Sequence, residues 1–301
     1  MQRLNWEDIR AFIAVAQTGQ IGKASLLLRQ DATTVARKLK RLEARLGVAL
    51  FERQRTGQEL TEAGEALLAK AETMAAAAEE IGDDASAPYG VAGNLRLSVA
   101  EGFGSQFLAR HLRTLAMQHP KLVIDLVANS GFLNPSRREA DLSVMLSRPR
   151  TGPVICQKLA DYQLRLYAAK SYIASHAPIS TPAHLSDGHT LISYVPDLVF
   201  APELNYLEEL SPGLRAQIRS SSINAQHRMV AEGVGIAVLP CFIGDRDQAL
   251  ETVCSDHSIL RTFWIVTHRD THNLARVRVA RQWLFDSVFA APQELVAPEG
   301  R

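Results

Sequence analysis

The sequence predicts an α/β protein in which an N-terminal winged helix-turn-helix is joined by a long helix to a larger α/β region. Three observations carry this prediction: three short helical patterns and a hairpin within residues 1–61, an amphipathic helix over about 62–88, and alternating strand-like and helical segments from residue 94. The 301 residues are enough for two or three domains, and 47% apolar with 22% charged residues excludes wholesale disorder.

The first two predicted helices are short. Apolar residues recur at helical spacing from Trp6 to Ala16, and Gly19 follows as a stop signal. The second helix is predicted over about 21–28. Three of its side chains are expected to face the core: Ala24, Leu27 and Leu28.

The third predicted helix begins after Asp31 and has two unlike faces. Asp31 is placed to cap the free amides at its start, and Gly47 is placed to end it. One face is an apolar stripe at spacings of four, three and four, formed by Val35, Leu39, Leu42 and Leu46. A helix that packs through one face and presents hydroxyls and cations on the other suits the major groove of DNA.

A small hairpin is predicted to follow and to complete a winged helix-turn-helix. The apolar run 48–51, a polar turn over 53–58 that contains Gly57, and the return over 59–61 define it. The alternative is a plain three-helix bundle with a solvated charged face, which would mix acids and bases evenly. Residues 31–45 instead carry five cations and two acids, with both acids near the ends.

Seven residues are predicted to contact DNA: Thr33, Thr34, Arg37, Lys38, Lys40, Arg41 and Arg53. The two threonines lie in the first turn, where recognition helices touch base edges. The two helix arginines lie one turn apart, so one is able to contact guanine O6 and N7 while the other meets phosphate. The two lysines and the wing arginine suit phosphates.

Charge is distributed unevenly along the chain, although the net formal charge is only +1. Residues 1–61 hold eleven Lys or Arg and six Asp or Glu, whereas residues 62–88 hold one Lys and seven acids. A basic N-terminal segment followed by an acidic segment concentrates nucleic-acid binding at one end of the molecule.

The long helix over about 62–88 is expected to begin at a Thr61 cap. Its apolar residues alternate by four and three, which is typical of a coiled-coil seam about two heptads long: Leu67, Ala71, Met74, Ala78 and Ile81. The alternative is an amphipathic helix that lies on its own domain. The seam is favoured because small alanines allow close helix approach. Residues 82–93 are expected to form a linker.

The region from residue 94 alternates between strands and helices, which favours a parallel α/β sheet. Strands are predicted at about 94–100, 122–128, 141–146, 162–168, 190–194, 235–239 and 262–267. Helices are predicted at about 107–118, 171–175, 225–232 and 275–289.

Several classes of protein are disfavoured by the sequence. Cys156, Cys241 and Cys254 have no CxxC spacing, so packed reduced thiols are favoured over a disulfide scaffold or zinc site, and a redox switch has little support. No HExxH, GxSxG or phosphate-loop motif is present, so neither catalytic residues, a metal nor a cofactor is expected. No signal peptide or membrane span is visible, and a cytoplasmic protein is expected.

Residues 1–88 resemble the N-terminal region of LysR-type transcriptional regulators. The matching segments are Phe12 to Ala16, Lys23-Ala24, Val35 to Glu43, Leu46 to Arg53 and Leu60 to Gly64. The resemblance continues through Asn94 to Ser98, His119-Pro120, Arg138 to Leu142 and Gly233 to Pro240, so it covers nearly the whole chain. Ala32 and Ala36 depart from the common pattern, which carries Gln and Ser there, so base preference is not transferred from other members.

The resemblance implies a DNA-binding domain over 1–61, a dimerisation helix over 62–88 and an effector-binding domain over 89–301. The last is implied to resemble a periplasmic binding protein, with one lobe over about 89–161 plus 266–291 and another over 162–265. It also implies a homodimer or homotetramer on double-stranded DNA, a small-molecule effector in the cleft, and altered recruitment of RNA polymerase. No membrane partner is implied.

Eight residues at or just after the ends of predicted strands, or at the start of a helix, are candidates for the effector site: Ala100, Glu101, Gly102, Phe103, Ser105, Ser130, Ser222 and Asn224. Ordinary turn and capping chemistry is the alternative explanation for them. Glycines after the first strand expose backbone amides, which suits an anion. The carboxylate of Glu101 would repel an anion, which favours a cationic or hydroxylated ligand. The ligand class therefore stays open.

Two rival functions remain at this stage. In the first, the C-terminal half only oligomerises and binds no ligand. In the second, the α/β region is an enzyme and the N-terminal region is an appendage. Stabilisation by a metabolite distinguishes a ligand-binding domain from the first rival, because a ligand of the folded state raises stability.

Overall fold

The structure is a computed structural model that describes residues 4–54, 57–85, 91–129, 131, 136, 139–199 and 201–297. Within these ranges, the side chains of residues 53, 54, 69, 72, 73, 76, 77 and 79–85 are not described. The chain forms two compact units, Met1–Ala85 and Ser86–Arg301. In the described part of the chain, no helix combines the length and apolar character needed to cross a membrane.

The first unit opens with three helices: α1 (Trp6–Thr18), α2 (Ile21–Leu28) and α3 (Ala32–Leu46). Gly19 and Gly47 end α1 and α3 in the left-handed conformation, with φ of 68° and 70°. Asp31 occupies the N-cap position of α3, but the expected capping bond from its side chain is absent. The Asp31 carbonyl accepts from the Thr34 amide at 2.9 Å, so the backbone of Asp31, and not its side chain, closes the first turn.

A two-stranded antiparallel hairpin follows, formed by β1 (Phe51–Gln54) and β2 (Gly57–Leu60). The Gln58 amide donates to the Gly19 carbonyl at 2.8 Å, which ties the hairpin to the end of α1. Gly57 has a φ of +148°, and a Cβ at this position would lie 2.3 Å from the Gly19 carbonyl oxygen. The close approach between hairpin and helix therefore requires glycine.

The core of the first unit confirms the predicted stripe of α3, since Val35, Leu39 and Leu42 are buried. They pack with α1 and the hairpin, where the rings of Phe12 and Phe51 lie 5.4 Å apart. The prediction for Leu27 is wrong, because its side chain is 60% exposed. The short helix α2 packs through Ala24 and Ser25, which places Leu27 on its outer face.

Helix α4 (Glu62–Ala85) begins at the predicted cap. The Thr61 hydroxyl accepts from the Gly64 amide at 3.0 Å and donates to the Ala49 carbonyl at 2.8 Å. The second contact joins the start of α4 to the chain just before β1. Glu62 and Glu65 lie in the first turn, where negative charge complements the helix dipole.

The second unit is built on one eight-stranded sheet. Its strands are β3 (Ala92–Ala100), β4 (Lys121–Asn129), β5 (Leu142–Met145), β6 (Val154–Ala169), β7 (Leu191–Ser193), β8 (Ile218–Arg219), β9 (Ile236–Pro240) and β10 (Leu250–His268). The order across the sheet is β4-β3-β5-β10-β6-β9-β7-β8.

The sheet is mixed, so the prediction of a parallel sheet is only partly right. β3 is parallel to β4 and β5, and β7 is parallel to β8 and β9. β10 is antiparallel to both β5 and β6, and β6 is antiparallel to β9. The sequence pattern revealed only the 162–168 and 262–267 parts of β6 and β10. In the remaining parts exposed polar residues interrupt the pattern, at 157–158 in β6 and at 255–258 in β10. Those parts are held as strands by their mutual ladder, which runs from Leu250↔Ala169 to His268↔Val154.

Helices cover this sheet: a π-helical turn (Phe103–Leu108), α5 (Ala109–Gln118), α6 (Lys170–Ser175), α7 (Tyr206–Leu210), α8 (Ile223–Ala231), α9 (Cys241–Gly244), α10 (Ala275–Ala290) and α11 (Pro292–Leu295). Short 3-10 turns lie at Pro182–Ser186, Pro196–Leu198 and Pro202–Leu204. α10 packs with β3, β5 and α5, and the π-helical turn packs with β3 and β4; we call this group the first lobe. In the second lobe, α8 packs with β7 and β9. β6 and β10 pass through both lobes, which share one apolar core.

Candidate functional site

The outward face of α3 carries the residues predicted to contact DNA. Thr33, Arg37 and Lys40 are exposed, and Thr34 is half-buried. Among the described residues, neither Arg37 nor Lys40 has a hydrogen-bond or ion-pair partner. Their cationic groups are therefore available to phosphates or base edges.

Lys38 lies on the side of α3 that faces α1. Its Nζ donates to Glu7 Oε2 at 2.8 Å and to Gln30 Oε1 at 2.9 Å, and its side chain is only 14% exposed. The Lys38 hydrogen bond lowers the pKa of Glu7. One of the three ammonium donors remains for a phosphate.

Arg41 pairs with a buried carboxylate of α1. Its Nε donates to Asp8 Oδ2 at 2.8 Å, and its Nη2 donates to Asp8 Oδ1 in a short contact. Arg45 Nη1 lies 3.8 Å from the same carboxylate. The Asp8 side chain is fully buried, so these arginines supply the partners that a buried charge requires. The pair therefore sets the position of α3 against α1.

The structure divides the predicted DNA-contact residues into two groups. Arg37 and Lys40 are without a described partner, whereas Lys38 and Arg41 also tie α3 to α1. The Arg41 side chain stays 43% exposed, and its Nη1 makes no contact with Asp8. Arg53 lies in β1, but its side chain is outside the described residues. The DNA role of each residue stays a prediction.

The predicted seam of α4 divides along its length. Ala71 is buried and Leu67 is half-buried, and both pack on the core of their own unit. Met74 is 49% exposed, and Ala78 is exposed as well. The Ile81 side chain lies outside the described residues. The first turns of α4 therefore lie on the core of their own unit, as the alternative interpretation predicts. The later turns expose apolar side chains.

A carboxylate of the first lobe caps a helix of the second. Glu101 follows β3, and its Oε1 accepts from the Ser222 hydroxyl at 2.7 Å and from Asn224 Nδ2 at 3.0 Å. Its Oε2 accepts from the Ile223 amide at 3.0 Å. These contacts fill the start of α8, where free amides and the helix dipole favour negative charge. We call these four residues the latch.

Neighbouring side chains support the latch. Ser222 is the N-cap of α8, and its hydroxyl accepts from the Ala225 amide at 3.1 Å. Gln106 Nε2 donates to Asn224 Oδ1 at 2.9 Å, and Asn224 Nδ2 also lies 3.0 Å from Ser105 Oγ. The first lobe therefore holds α8 through both carboxylate and amide contacts.

A small cavity of about 30 Å³ lies beside the latch. Its lining comprises Ala100, Glu101, Gly102, Phe103, Leu146, Tyr162, Tyr194, Leu204, Tyr206, Ser221, Ile223, Pro240, Phe242 and Phe263. A water molecule needs roughly 10–15 Å³ of such space, so the cavity has room for two or three waters. Cofactor-sized ligands occupy roughly 300–1,000 Å³, and they would require the lobes to separate.

Three tyrosines converge on this cavity. Tyr162 and Tyr206 are buried, and Tyr194 is half-buried. Burial raises the pKa of all three phenols, so they stay protonated at neutral pH. Among the described residues, none of the three hydroxyls has a hydrogen-bond partner.

The predicted effector residues fall into two groups that meet at this place. Ala100, Glu101, Gly102 and Phe103 line the cavity, while Ser105, Ser222 and Asn224 belong to the latch or its support. Ser130 lies outside the described residues. Sequence reasoning missed ten cavity residues: Leu146, Tyr162, Tyr194, Leu204, Tyr206, Ser221, Ile223, Pro240, Phe242 and Phe263. Leu146 and Tyr194 end predicted strands, and Tyr162 begins one, so these positions offered a signal that was not used.

None of the three cysteines lines this cavity. Cys241 and Cys254 are buried, Cys156 is half-buried, and all three are free thiols. Burial raises the pKa of each, to about 11 for Cys241, which keeps the thiols protonated. The described residues contain no group of His, Cys, Asp and Glu suited to a metal ion.

Two family models match the chain. Residues 6–65 match the bacterial regulatory helix-turn-helix protein, lysR family. Residues 89–288 match the LysR substrate binding domain. The first match contains α1 to α3 and the hairpin, and the second contains the latch and every cavity residue.

Curated relatives are transcriptional regulators. The Mau operon transcriptional activator of Paracoccus denitrificans is 28% identical over 240 residues, which is 80% of this chain and 81% of the relative. The HTH-type transcriptional regulator PtxR of Pseudomonas aeruginosa is 27% identical over 257 residues, with 83% of this chain and 80% of the relative covered.

Solved structures with the same fold include full-length OxyR from Pseudomonas aeruginosa, with a TM-score of 0.68 and 21% identity. That comparison covers 95% of this chain and 98% of the other. CrgA from Neisseria meningitidis, a LysR-type transcriptional regulator, has a TM-score of 0.59 and 23% identity, with 95% and 99% covered. At these identities, the likeness establishes the fold.

Proposed function

The chain belongs to the lysR family of bacterial regulatory helix-turn-helix proteins, and from this premise we propose how its residues divide the work of regulation. It is a DNA-binding transcriptional regulator with an effector-binding domain. We propose which residues contact DNA, how copies of the chain assemble, and where the effector binds.

We propose that α3 enters the major groove and that Thr33, Thr34 and Arg37 contact base edges. Lys38, Lys40, Arg41 and Arg53 are assigned to phosphates. The observation that carries this proposal is the exposed face of α3, on which Arg37 and Lys40 have no partner among the described residues. Lys38 and Arg41 have a second role, because their contacts with Glu7 and Asp8 orient α3.

We propose that two copies pair through α4. The exposed Met74 and Ala78 provide an apolar edge on the later turns of that helix. A twofold dimer presents two copies of α3, so its DNA target is an imperfect palindrome. A tetramer would join two such dimers on one promoter, and the protein would then alter recruitment of RNA polymerase in the cytoplasm.

The effector-binding cleft is proposed to lie at the latch and the adjoining cavity. A ligand that contacts both lobes shifts the balance between their arrangements only if it binds those arrangements with different affinities. The match to a substrate-binding domain favours this reading over a C-terminal half that only oligomerises. We assign the protein no catalytic role.

Selection of bound DNA by the full-length protein tests this function. The expected result is enrichment of an interrupted palindrome from a random duplex library, and weaker enrichment with a relaxed sequence preference by the Arg37→Ala protein. A thermal-shift screen of the full chain against metabolites tests the effector part, because a bound ligand raises the unfolding temperature. Enrichment of no sequence would contradict the DNA part, and no stabilising metabolite would contradict the effector part.

A further inference from the structure

The cavity beside the latch has a lining dominated by aromatic rings. Six of its residues are aromatic: Phe103, Tyr162, Tyr194, Tyr206, Phe242 and Phe263. The Tyr162 and Phe263 rings stack with centroids 4.0 Å apart, and Phe103 lies 4.2 Å from Phe263. The faces of such rings carry negative electrostatic potential, which attracts cations.

The charge in this lining is negative. Glu101 is the one acidic residue in the lining, and the described lining contains no lysine, arginine or histidine. Its carboxylate already fills the start of α8, which is the place that an anionic ligand would take. A second carboxylate here would be buried beside Glu101 without a cation, which is strongly unfavourable.

The charged residues near the lining, Arg261 and Glu203, do not supply an unpaired cation to the cavity. Arg261 donates to the Glu209 carboxylate and to the Glu203 carbonyl, so its charge is already paired. Glu203 lines a separate open pocket together with Arg148 and Arg150, but its Oε2 is buried with no hydrogen-bond partner among the described residues, so it adds no positive charge to the cavity. No side-chain cation among the described residues of the cavity therefore balances Glu101.

The dimensions of the cavity restrict the ligand further. Its volume of about 30 Å³ corresponds to two or three water molecules. The three tyrosine hydroxyls have no partner among the described residues. Each is both a donor and an acceptor, and the acceptor lone pairs, placed beside the Glu101 carboxylate, are able to bind a ligand that donates hydrogen bonds. Few heavy atoms, a positive charge and N–H donors together define a short-chain amine in its protonated form.

We propose that this cavity is an aromatic cage for a small organic ammonium cation, which contacts the aromatic rings and the Glu101 carboxylate. The inference rests on the proposed role of the cleft as the effector site. Glu101 belongs to the first lobe and Ile223 to the second, so a cation bound here contacts both lobes. It favours the arrangement in which the latch is closed.

Thermal unfolding of the full-length protein with methylammonium chloride tests this proposal. The controls are sodium chloride at equal ionic strength, methanol as a neutral molecule of similar size, and sodium acetate as an anion. We expect methylammonium to raise the unfolding temperature in a saturable manner, and we expect no saturable rise with any control. Equal stabilisation by methanol or acetate would overturn the proposal, and so would the absence of a methylammonium effect.

Calorimetric titration of the Glu101→Gln variant tests the role of the carboxylate. We expect methylammonium affinity to fall at least tenfold, whereas Asp197→Asn, which alters an exposed carboxylate elsewhere, should leave the affinity unchanged. Unchanged affinity in a folded Glu101→Gln protein would overturn the proposal. If the Glu101→Gln variant does not fold, the comparison of methylammonium, methanol and acetate on the wild-type protein tests the proposal.

Experiments distinguish a wrong cation-cage proposal from a wrong regulator function. Stabilisation by a carboxylate metabolite and not by methylammonium would overturn the cation cage, yet it would support an effector site. Loss of sequence-selective DNA binding would contradict the regulator function, whatever occupies the cavity.

Discussion

The fully buried carboxylate of Asp8 in α1 accepts hydrogen bonds from both Nε and Nη2 of Arg41 in α3. This bidentate contact joins the helix that forms the core of the first unit to the helix that we assign to the DNA groove. Because the Arg41 side chain is also 43% exposed, one residue both packs α3 against α1 and reaches solvent.

Asp8→Asn should destabilise the first unit. The amide presents donors where the carboxylate accepted from Arg41, so a buried polar group loses its partners. We expect the free energy of local unfolding to fall by about 1–3 kcal/mol. Amide hydrogen exchange of α1 and α3 measures it in the intact protein. Glu7→Gln is the control, because Glu7 is 43% exposed and should contribute less than about 1 kcal/mol; equal effects of the two changes would contradict the assignment.

Glu7 should add a small acid-sensitive contribution to stability. The Lys38 hydrogen bond lowers its pKa in the folded state below the ordinary value of 4.5. Its contribution is therefore fully present above the ordinary value and is lost as pH falls through the folded value. The difference in unfolding free energy between the wild type and Glu7→Gln should shrink on acidification. A difference that stays constant from about pH 7 to about pH 3 would count against the ion pair.

Lys40→Ala should lower the dependence of DNA binding on salt. Lys40 is exposed and has no described partner, so one phosphate contact is lost and the log–log salt slope falls by about one. Lys38→Ala is a matched comparison, and its effect on the slope should be smaller because Glu7 already pairs with Lys38. Fluorescence anisotropy at several salt concentrations measures both. A larger change in the Lys38 variant would reverse the assignment.

Met74→Lys should weaken dimerisation. Met74 is 49% exposed on α4, and a charge in an apolar seam between two helices is unfavourable. We expect light scattering with size-exclusion chromatography to show a shift towards smaller species on dilution. Leu198→Lys alters a side chain that is 61% exposed in the second unit and should leave the assembly intact. An unchanged Met74→Lys assembly would remove α4 from the interface.

The elements that could be predicted from sequence are those whose pattern is local. The α3 stripe of Val35, Leu39 and Leu42, its Gly47 stop and the Thr61 cap all depend on residues within a few positions, and the structure confirms them. The prediction for Leu27 was wrong because α2 packs through its other face, which carries Ala24 and Leu28. The mixed sheet was missed because the β6–β10 ladder joins segments about a hundred residues apart.

The candidate cleft was predictable only in part for the same reason. Glu101 to Phe103 and Ser222 attracted attention because they lie next to a strand end or a helix start. Tyr194, Tyr206 and Phe263 come from separate elements, and only the folded sheet brings them to one cavity. The sequence already indicated that the carboxylate of Glu101 disfavours an anionic ligand. Its position at the start of α8 could be seen only in the structure.

Binding of the Arg37→Ala protein to a selected palindrome and to random duplex tests the central claim most directly. Arg37 is exposed on α3 and has no described partner, so its assigned role is contact with a base. We predict that affinity for the selected site falls by about 1–3 kcal/mol while affinity for random DNA changes much less. Equal losses on both duplexes would assign Arg37 to phosphate, and no loss on either would remove α3 from the DNA interface.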